Sequence, residues 1–540
     1  MSVVFENGRV WLRGGRFAEA LVSKHGRIAA VGDRAALRRD HPDATAVDLR
    51  GGVMLPGFTD AHCHFLWWAI QLTRLDLSDE PTVEAALAKI EAHARELPED
   101  GWILGGRFDK NRWGRWPTRE ELDRVSHGRV AVLRSRDGHS RWANSKALAI
   151  AKVTRETPTP AGGEIDRDAM GEPTGILREN AIRLLDSAIP QPTFAEVLAA
   201  LRLGQREALR RGLTGIHDLD SPMADAHRGF QIMAAQRRDE LPHQRWDSEI
   251  AAHSLAIRVH MGIRHQDLDA ALALGIRSGL GNEWLQWSNL KIFTDGALGS
   301  QTAALEEPYE ATDYRGVLTI EPERLDADVR RAAAGGIRVA IHAIGDRAVR
   351  VALDAIERTV GPSPSKGRSR HRVEHVQLVR REDIARFARL GVVASMQPIH
   401  ATSDRDLADR HWGARSERAY PWRAFLDAGV ILAFGSDAPV EPIDPLLGIH
   451  AAVTRKRPSD AAAWHPEQRI TLEEAIAAYT SGPAIALARA DELGWLDVGK
   501  WCDAVVLSED VFREPPEVLL EPIVRATITA GVVRYENGLG

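Results

Sequence analysis

Cysteine is nearly absent. Cys63 and Cys502 are the only two in 540 residues, and they lie far apart. A secreted disulfide scaffold is therefore excluded. An excess of one charge is missing too: Lys and Arg number 70 against 76 Asp and Glu, a formal net charge of −6. With no basic excess, neither a nucleic acid nor an anionic membrane is expected as a partner. Long apolar runs are also lacking. The nearest candidate, Phe65 to Ile70, is far too short to span a bilayer. The opening stretch MSVVFENGRVWLRGG has no basic region, apolar core or cleavage site of a signal peptide. These absences together read as a cytoplasmic protein of a reducing compartment. No repeat of fixed period occurs, so a solenoid is not expected.

The chain is otherwise ordinary for a globular protein, with 44% hydrophobic and 27% charged residues. Its length corresponds to roughly three or four domain-sized units. It is rich in Trp (15) and His (20) but holds only 5 Tyr. The histidines matter only if some of them converge.

Both ends read as short strands and tight turns. Asn7-Gly8, His25-Gly26 and Asn537-Gly538 interrupt alternating apolar runs, as hairpin turns do. A small β-sandwich built from residues 1–55 plus 482–540 is expected. The middle, 56–481, alternates Ala-rich amphipathic stretches, a Gly, and a short β-branched run. EALRRGLTGIHD, RRAAAGGIRVAIHA, IARFARLGVVASMQP and WRAFLDAGVILAFGSD show the joint. Gly just past a helix, followed by a buried strand, is an αβ loop signal. Eight such strands are found: VMLPGFTDAH, LTGIHD, IRVHMGI, SNLKIFTDG, RVAIHA, RVEHV, VVASMQP and VILAFGSD. The fold class is therefore α/β, a TIM-type (β/α)8 barrel. About 140 residues separate the first two strands, more than a βα unit needs. An insertion is expected at about 75–195, including a loop and hairpin at 154–175. The segment GPSPSKGRSRH at 361–371 reads as a polar loop.

Polar residues cluster at the C-terminal ends of these strands. His62 and His64 end the first, Lys291 lies in the fourth, His342 ends the fifth, His375 the sixth and Asp437 the eighth. Alternate strand residues point the same way, so His62 and His64 can share one metal while Cys63 faces away. Taken singly, each has a plain structural explanation, such as a hydrogen-bonded strand-end His or an Asp that caps a helix. Placed together at the face where barrel enzymes carry catalysis, they suit a divalent ion. His217 and Asp218, ending the second strand, read as supporting structure.

With PGFTDAHCHF at its start and GKWCDAVVLS near its end, the sequence resembles the amidohydrolase superfamily over nearly its whole length. RDGHSRWANSKAL, GEPTGILRENA, LKIFTDGALGSQTAAL, IHAIGDRAV and HRVEHVQLV resemble the branch of N-substituted formamide deformylase and YtcJ-like metal-dependent hydrolases. The resemblance implies two divalent ions, most simply zinc. His62, His64 and Asp437 would hold one, His342 and His375 the other, and a carboxylated Lys291 would bridge them. It implies hydrolysis of an amide-type C–N bond by metal-bound hydroxide, with Lys291 and Asp437 as catalytic groups and Asp437 moving the proton. A small-molecule amide is the expected partner; self-association as a homodimer is left open. His139, Asp295, Trp113 and Trp142 are the expected substrate contacts, Asp295 also serving to orient Lys291. Trp67, Trp68 and Trp116 complete a suggested apolar pocket. A mononuclear deaminase is disfavoured because HAIGD lacks the Glu such enzymes pair with the fifth-strand His. An esterase or lactonase stays open, and an inactive binding barrel is disfavoured because all six ligand positions are filled.

Overall fold

The computed structural model describes residues 2–135, 140–160, 163–221, 223–236, 254–360 and 371–539. His139 and the loop at 361–370 lie outside the described residues. Eight strands run β1 (Phe58–Cys63), β2 (Leu213–Asp218), β3 (Arg258–Arg264), β4 (Leu285–Phe293), β5 (Arg338–Ala343), β6 (Arg372–His375), β7 (Val393–Met396) and β8 (Leu432–Phe434). They form one sheet in which sequence neighbours pair in parallel. This is the TIM-type barrel the helix–Gly–strand joints predict. Helix Arg381–Leu390, for example, ends at Gly391 in the left-handed region (φ 64°), which turns the chain into β7. Gly carries no Cβ penalty there.

The barrel closes past the end of β8 rather than along it. Asp437 N–H donates to His62 O at 2.7 Å, and His64 N–H donates to Ala438 O at 2.8 Å. Asp60 reinforces the seam. One of its carboxylate oxygens accepts from His62 N–H (3.0 Å) and Ser436 N–H (3.1 Å), and the other from Ser436 Oγ–H (2.5 Å).

The expected first strand is two strands. Val53–Pro56 pairs with Ala504–Leu507 in a terminal sheet, and only Phe58–Cys63 joins the barrel. Pro56 has no N–H to continue a ladder. Gly57 turns where a Cβ would strike the Thr214 side chain at 2.3 Å. The terminal strands form a four-stranded and a six-stranded sheet, the latter drawing strands from both ends of the chain. Phe5, Leu21 and Ile28 of one pack with Val10, Met54, Val506, Ala526 and Ile528 of the other.

Residues 69–200 form a compact unit of their own. A six-stranded mixed sheet, including the hairpin Gly163–Arg167 and Pro173–Glu179, packs on helix Val83–Glu96. Among the described residues, no helix is long and apolar enough to cross a membrane.

One buried ion pair joins the barrel to the six-stranded sheet. The Arg258 guanidinium donates to both Asp503 oxygens, at 2.5 and 3.0 Å. It lies between the rings of Trp284 and Trp501, 4.5 and 4.6 Å from their centroids. Removing one partner strands a buried charge. We therefore expect Arg258→Met to lower stability by about 3–5 kcal/mol, read as a fall in the urea midpoint. An unchanged midpoint would show that the pair does not hold the two sheets together.

Candidate metal centre

The end of β1 delivers His62 and His64 to the barrel mouth, while Cys63 turns away, its thiol donating to His217 O at 3.5 Å. His62 is fully buried. Its Nδ1 lies 2.6 Å from Glu374 Oε2, and its Nε2 faces Lys291 Nζ at 3.1 Å and Asp437 Oδ1 at 3.4 Å. Burial alone would raise the Glu374 carboxyl. The adjoining Arg372 guanidinium and His62 outweigh it and hold it well below the usual range. An ionised Glu374 accepts the proton of Nδ1, so the lone pair of His62 sits on Nε2 and points into the site.

Two other imidazoles are polarised in the same manner. His375 ends β6, and its Nδ1 meets Gln397 Oε1 at 2.9 Å, freeing Nε2. His342 ends β5 with Nε2 3.0 Å from Gly296 O, freeing Nδ1. Their ring centroids are 4.4 Å apart, and that of His375 is 4.7 Å from His62. Burial, reinforced by Lys291, depresses His62 to about 4 and His342 to about 3. Burial also holds His375 well below 6.5. All three are therefore neutral near pH 7, the form that ligates metal.

Asp437 binds the cluster together. Its Oδ1 is 3.1 Å from His64 Nε2, and its Oδ2 turns to His400 Nε2 at 3.7 Å. Burial opposes its ionisation, but the hydrogen bond with His64 leads the influences that hold its carboxyl well below 3.8. The backbone is strained at two of these positions, with φ of 72° at His375 and 61° at Asp437. Non-glycine residues seldom adopt that region, and such strain gathers at functional sites. Lys291, only 1% exposed, has its ammonium form disfavoured by burial.

The six strand-end residues thus meet in one place. His62, His64 and Asp437 offer ligand atoms within 4.8 Å of one another, and so do His375, His400 and Asp437. The donor set fits a divalent ion: His62, His342 and His375 are neutral imidazoles each presenting a free nitrogen, with the ionised carboxylate of Asp437 beside them. His400 was missed by sequence reasoning. It follows β7 within helix Pro398–Ser403, beyond the strand end where ligands were sought. Its one signal is the run MQPIH.

Of the expected substrate contacts, Asp295, Trp113 and Trp142 are among the described residues and His139 is not. Asp295 accepts from Ala304, Ile344 and Gly345 N–H (2.9, 3.0 and 2.8 Å) and sits 3.5 Å from His342 Nε2. It fixes the turn that follows His342. Burial pushes it up to about 7 despite those donors. Trp142 is fully buried in the core of the 69–200 unit, its indole N–H donating to Thr118 O at 2.8 Å. Trp113 packs on the same core, stacked 5.3 Å from Phe108. Two other aromatics do face open space at the barrel mouth. Trp67 and Phe293, 43% and 39% exposed, line a cavity of about 530 Å³ with Asp220 and Arg264. The Phe293 ring lies 5.1 Å from that of His342.

Comparison with known proteins agrees with this geometry. The family described as "Amidohydrolase family" matches residues 45–535. An "Imidazolonepropionase-like composite domain, bacteria" matches 20–44. The chain is 32% identical to "Putative amidohydrolase YtcJ" of Bacillus subtilis over 99% of its own length and 100% of that protein's. It is 31% identical to "N-substituted formamide deformylase" of Arthrobacter pascens, covering 96% and 95%. A crystal structure of an uncharacterized metal-dependent hydrolase from Pyrococcus horikoshii OT3 superposes with a TM-score of 0.78. It is 27% identical, with 96% of this chain and 99% of that one covered.

Glu374 never touches the centre, yet it sets which nitrogen His62 presents. We expect Glu374→Gln to weaken metal binding about 10- to 100-fold, read by competition with a chromogenic chelator. Unaltered affinity in a folded variant would deny Glu374 that role.

Proposed function

The chain belongs to the amidohydrolase family of metal-dependent hydrolases, and from that premise we propose that it hydrolyses the C–N bond of a small N-substituted formamide or related amide. The observation that carries this reading is the convergence of His62, His64, His342 and His375 around Asp437 and Lys291, with His62, His342 and His375 held neutral. His62, His64 and Asp437 would hold one ion, His342 and His375 a second, and a carboxylated Lys291 would lie between the two. A pair of zinc ions held there would supply a water that ionises near neutral pH and a Lewis acid for the scissile carbonyl.

The chain's own groups do the rest. Asp437 takes the proton of the attacking water at Oδ2, the oxygen turned away from His62 and His64. It passes that proton to the amine nitrogen as the C–N bond breaks, so a carboxylic acid and a free amine leave. In its unprotonated form, which burial favours, the Lys291 amine would add carbon dioxide and lose a proton to become a carbamate, whose anionic oxygens would offset the repulsion between two cations. Trp67 and Phe293 offer apolar faces to the amine substituent. The cavity's charges are largely internally compensated: Arg264 pairs with Asp267, and Arg324 and Arg331 with Asp328. That favours an uncharged substrate. Amide cleavage further rests on the 31% identity to the formamide deformylase.

A panel of N-formyl and N-acyl amines, esters and lactones, run with several divalent metals, tests the reading. Release of amine from N-formyl compounds bearing an apolar substituent is expected; turnover confined to esters or lactones would replace it. Asp437→Asn should lower kcat by about 10²–10⁴-fold. Lys291 gives a separate check. Bicarbonate should speed reconstitution of the metal-free protein, and Lys291→Ala should lose metal that added formate or propionate partly restores. Full metal occupancy in Lys291→Ala without such additives would sink the carbamate.

A further inference from the structure

His400 stacks on His375, with ring centroids 6.2 Å apart and planes 9° from parallel, yet the two rings are held by opposite kinds of partner. The Nδ1 of His375 meets the carbonyl oxygen of Gln397 at 2.9 Å, an acceptor, so its proton sits on Nδ1 and its Nε2 is a bare lone pair. The Nδ1 of His400 meets the amide nitrogen of Gln377 at 3.1 Å, a donor. Its proton therefore sits on Nε2. Nε2 is buried and has no hydrogen-bond partner among the described residues. A buried N–H without an acceptor costs about 1–3 kcal/mol, so this one awaits a group.

Geometry identifies the group. The ligand-type atoms of His375, His400 and Asp437 lie within 4.8 Å of one another, but Nε2 is 3.7 Å from Asp437 Oδ2, too far for a hydrogen bond. An acceptor oxygen seated against Nε2–H, clear of the lone pairs of Asp437 Oδ2 and His375 Nε2, would satisfy it. We infer that His400 is a further catalytic residue, donating Nε2–H to the reacting oxygen of the bound carbonyl group. Gln377 is its positioning residue. The donor is aimed where negative charge builds as the carbonyl becomes tetrahedral, and it is already in place before reaction. This rests on the hydrolytic reading above only for the identity of that oxygen. The structural facts about His400 do not depend on which acyl compound is cleaved.

The test uses full-length, metal-loaded protein. His400→Ala should keep the metal content and chelator resistance of the unsubstituted protein while kcat falls about 10²–10³-fold with KM little changed. His400→Asn, which restores a donor, should recover part of the loss. Gln377→Glu offers Nδ1 only acceptors and moves the proton off Nε2. It should lower kcat like His400→Ala while metal is retained. A readout without turnover is binding of methylphosphonate, a tetrahedral anion, which His400→Ala should weaken about tenfold or more. Loss of metal from His400→Ala would make His400 a ligand and overturn the inference. Unchanged kcat and unchanged phosphonate affinity would overturn it too. If the unsubstituted protein cleaves no amide, the proposed substrate class fails, while the metal and phosphonate measurements still decide His400.

Discussion

Asp60 carries the constraint on which the rest of the site depends. A barrel of eight parallel strands must join its last strand to its first, and here no regular ladder does so. The work falls to a few bonds beyond β8, with the Asp60 carboxylate accepting three of them from His62 and Ser436. Gly435 has to be glycine: a Cβ would come within 2.4 Å of His62 N and 2.7 Å of the Asp60 carboxylate. The same closure sets His62 and His64 opposite Asp437. Ligand spacing and barrel closure are thus one set of hydrogen bonds, and neither can shift without the other. The strained φ at Asp437 is maintained because its N–H is pinned to His62 O.

Below the site, the barrel interior departs from the branched apolar layers usual in this fold. Arg372, Glu374 and His217 are fully buried there. Arg372 bonds Glu374, the carbonyl of Ala61 and, at 2.8 Å, His217 Nδ1. An isolated buried charge would be far too costly, but a carboxylate and a guanidinium that satisfy each other and their neighbours can persist. What this arrangement secures is direction. Glu374 remains ionised because Arg372 is beside it, and an ionised Glu374 allows only one tautomer of His62. The polarity of the centre is therefore established one layer beneath it.

Much of this could be read from the sequence, and the reasons for the misses are physical. Period and Gly placement gave all eight barrel strands only together with the polar residues at their C-terminal ends. Strand ends gave His62, His64, Lys291, His342, His375 and Asp437, because a strand's last residues necessarily point to the mouth. His400 escaped because it sits in a helix after β7, where no period ties it to the site. Glu374 lies in the quoted run RVEHV, yet alternation along a four-residue strand does not say that its side chain reaches His62 across the barrel. Asp295 follows Lys291 in sequence but fixes the turn that follows His342, since the loop after β4 folds back over the turn after β5. Residues 53–62 read as one strand because Pro and Gly in adjacent positions break a ladder without breaking the apolar pattern.

The tryptophan excess has a different source from the pocket first suggested for it. Trp113 and Trp142 build the core of the 69–200 unit. Of the tryptophans suggested for that pocket, Trp67 is the one that lines the cavity at the mouth. Several of the others accompany buried arginine. Arg258 lies between Trp284 and Trp501, and Arg455 faces Trp422 and Trp464 at 4.5 and 5.0 Å. Burial pulls Arg455 down to about 9, a measure of how poorly that site solvates a cation. A guanidinium suits such a place better than an ammonium would. It is more weakly hydrated, so it loses less on burial, and its flat face matches an indole while its edge donates in plane. Arg455 bonds the carbonyls of Trp464 and Tyr420 at 2.9 and 3.0 Å, holding together segments on either side of β8 and the Asp437 turn. Aromatic faces at these positions thus replace water around charges that the barrel needs as cross-links.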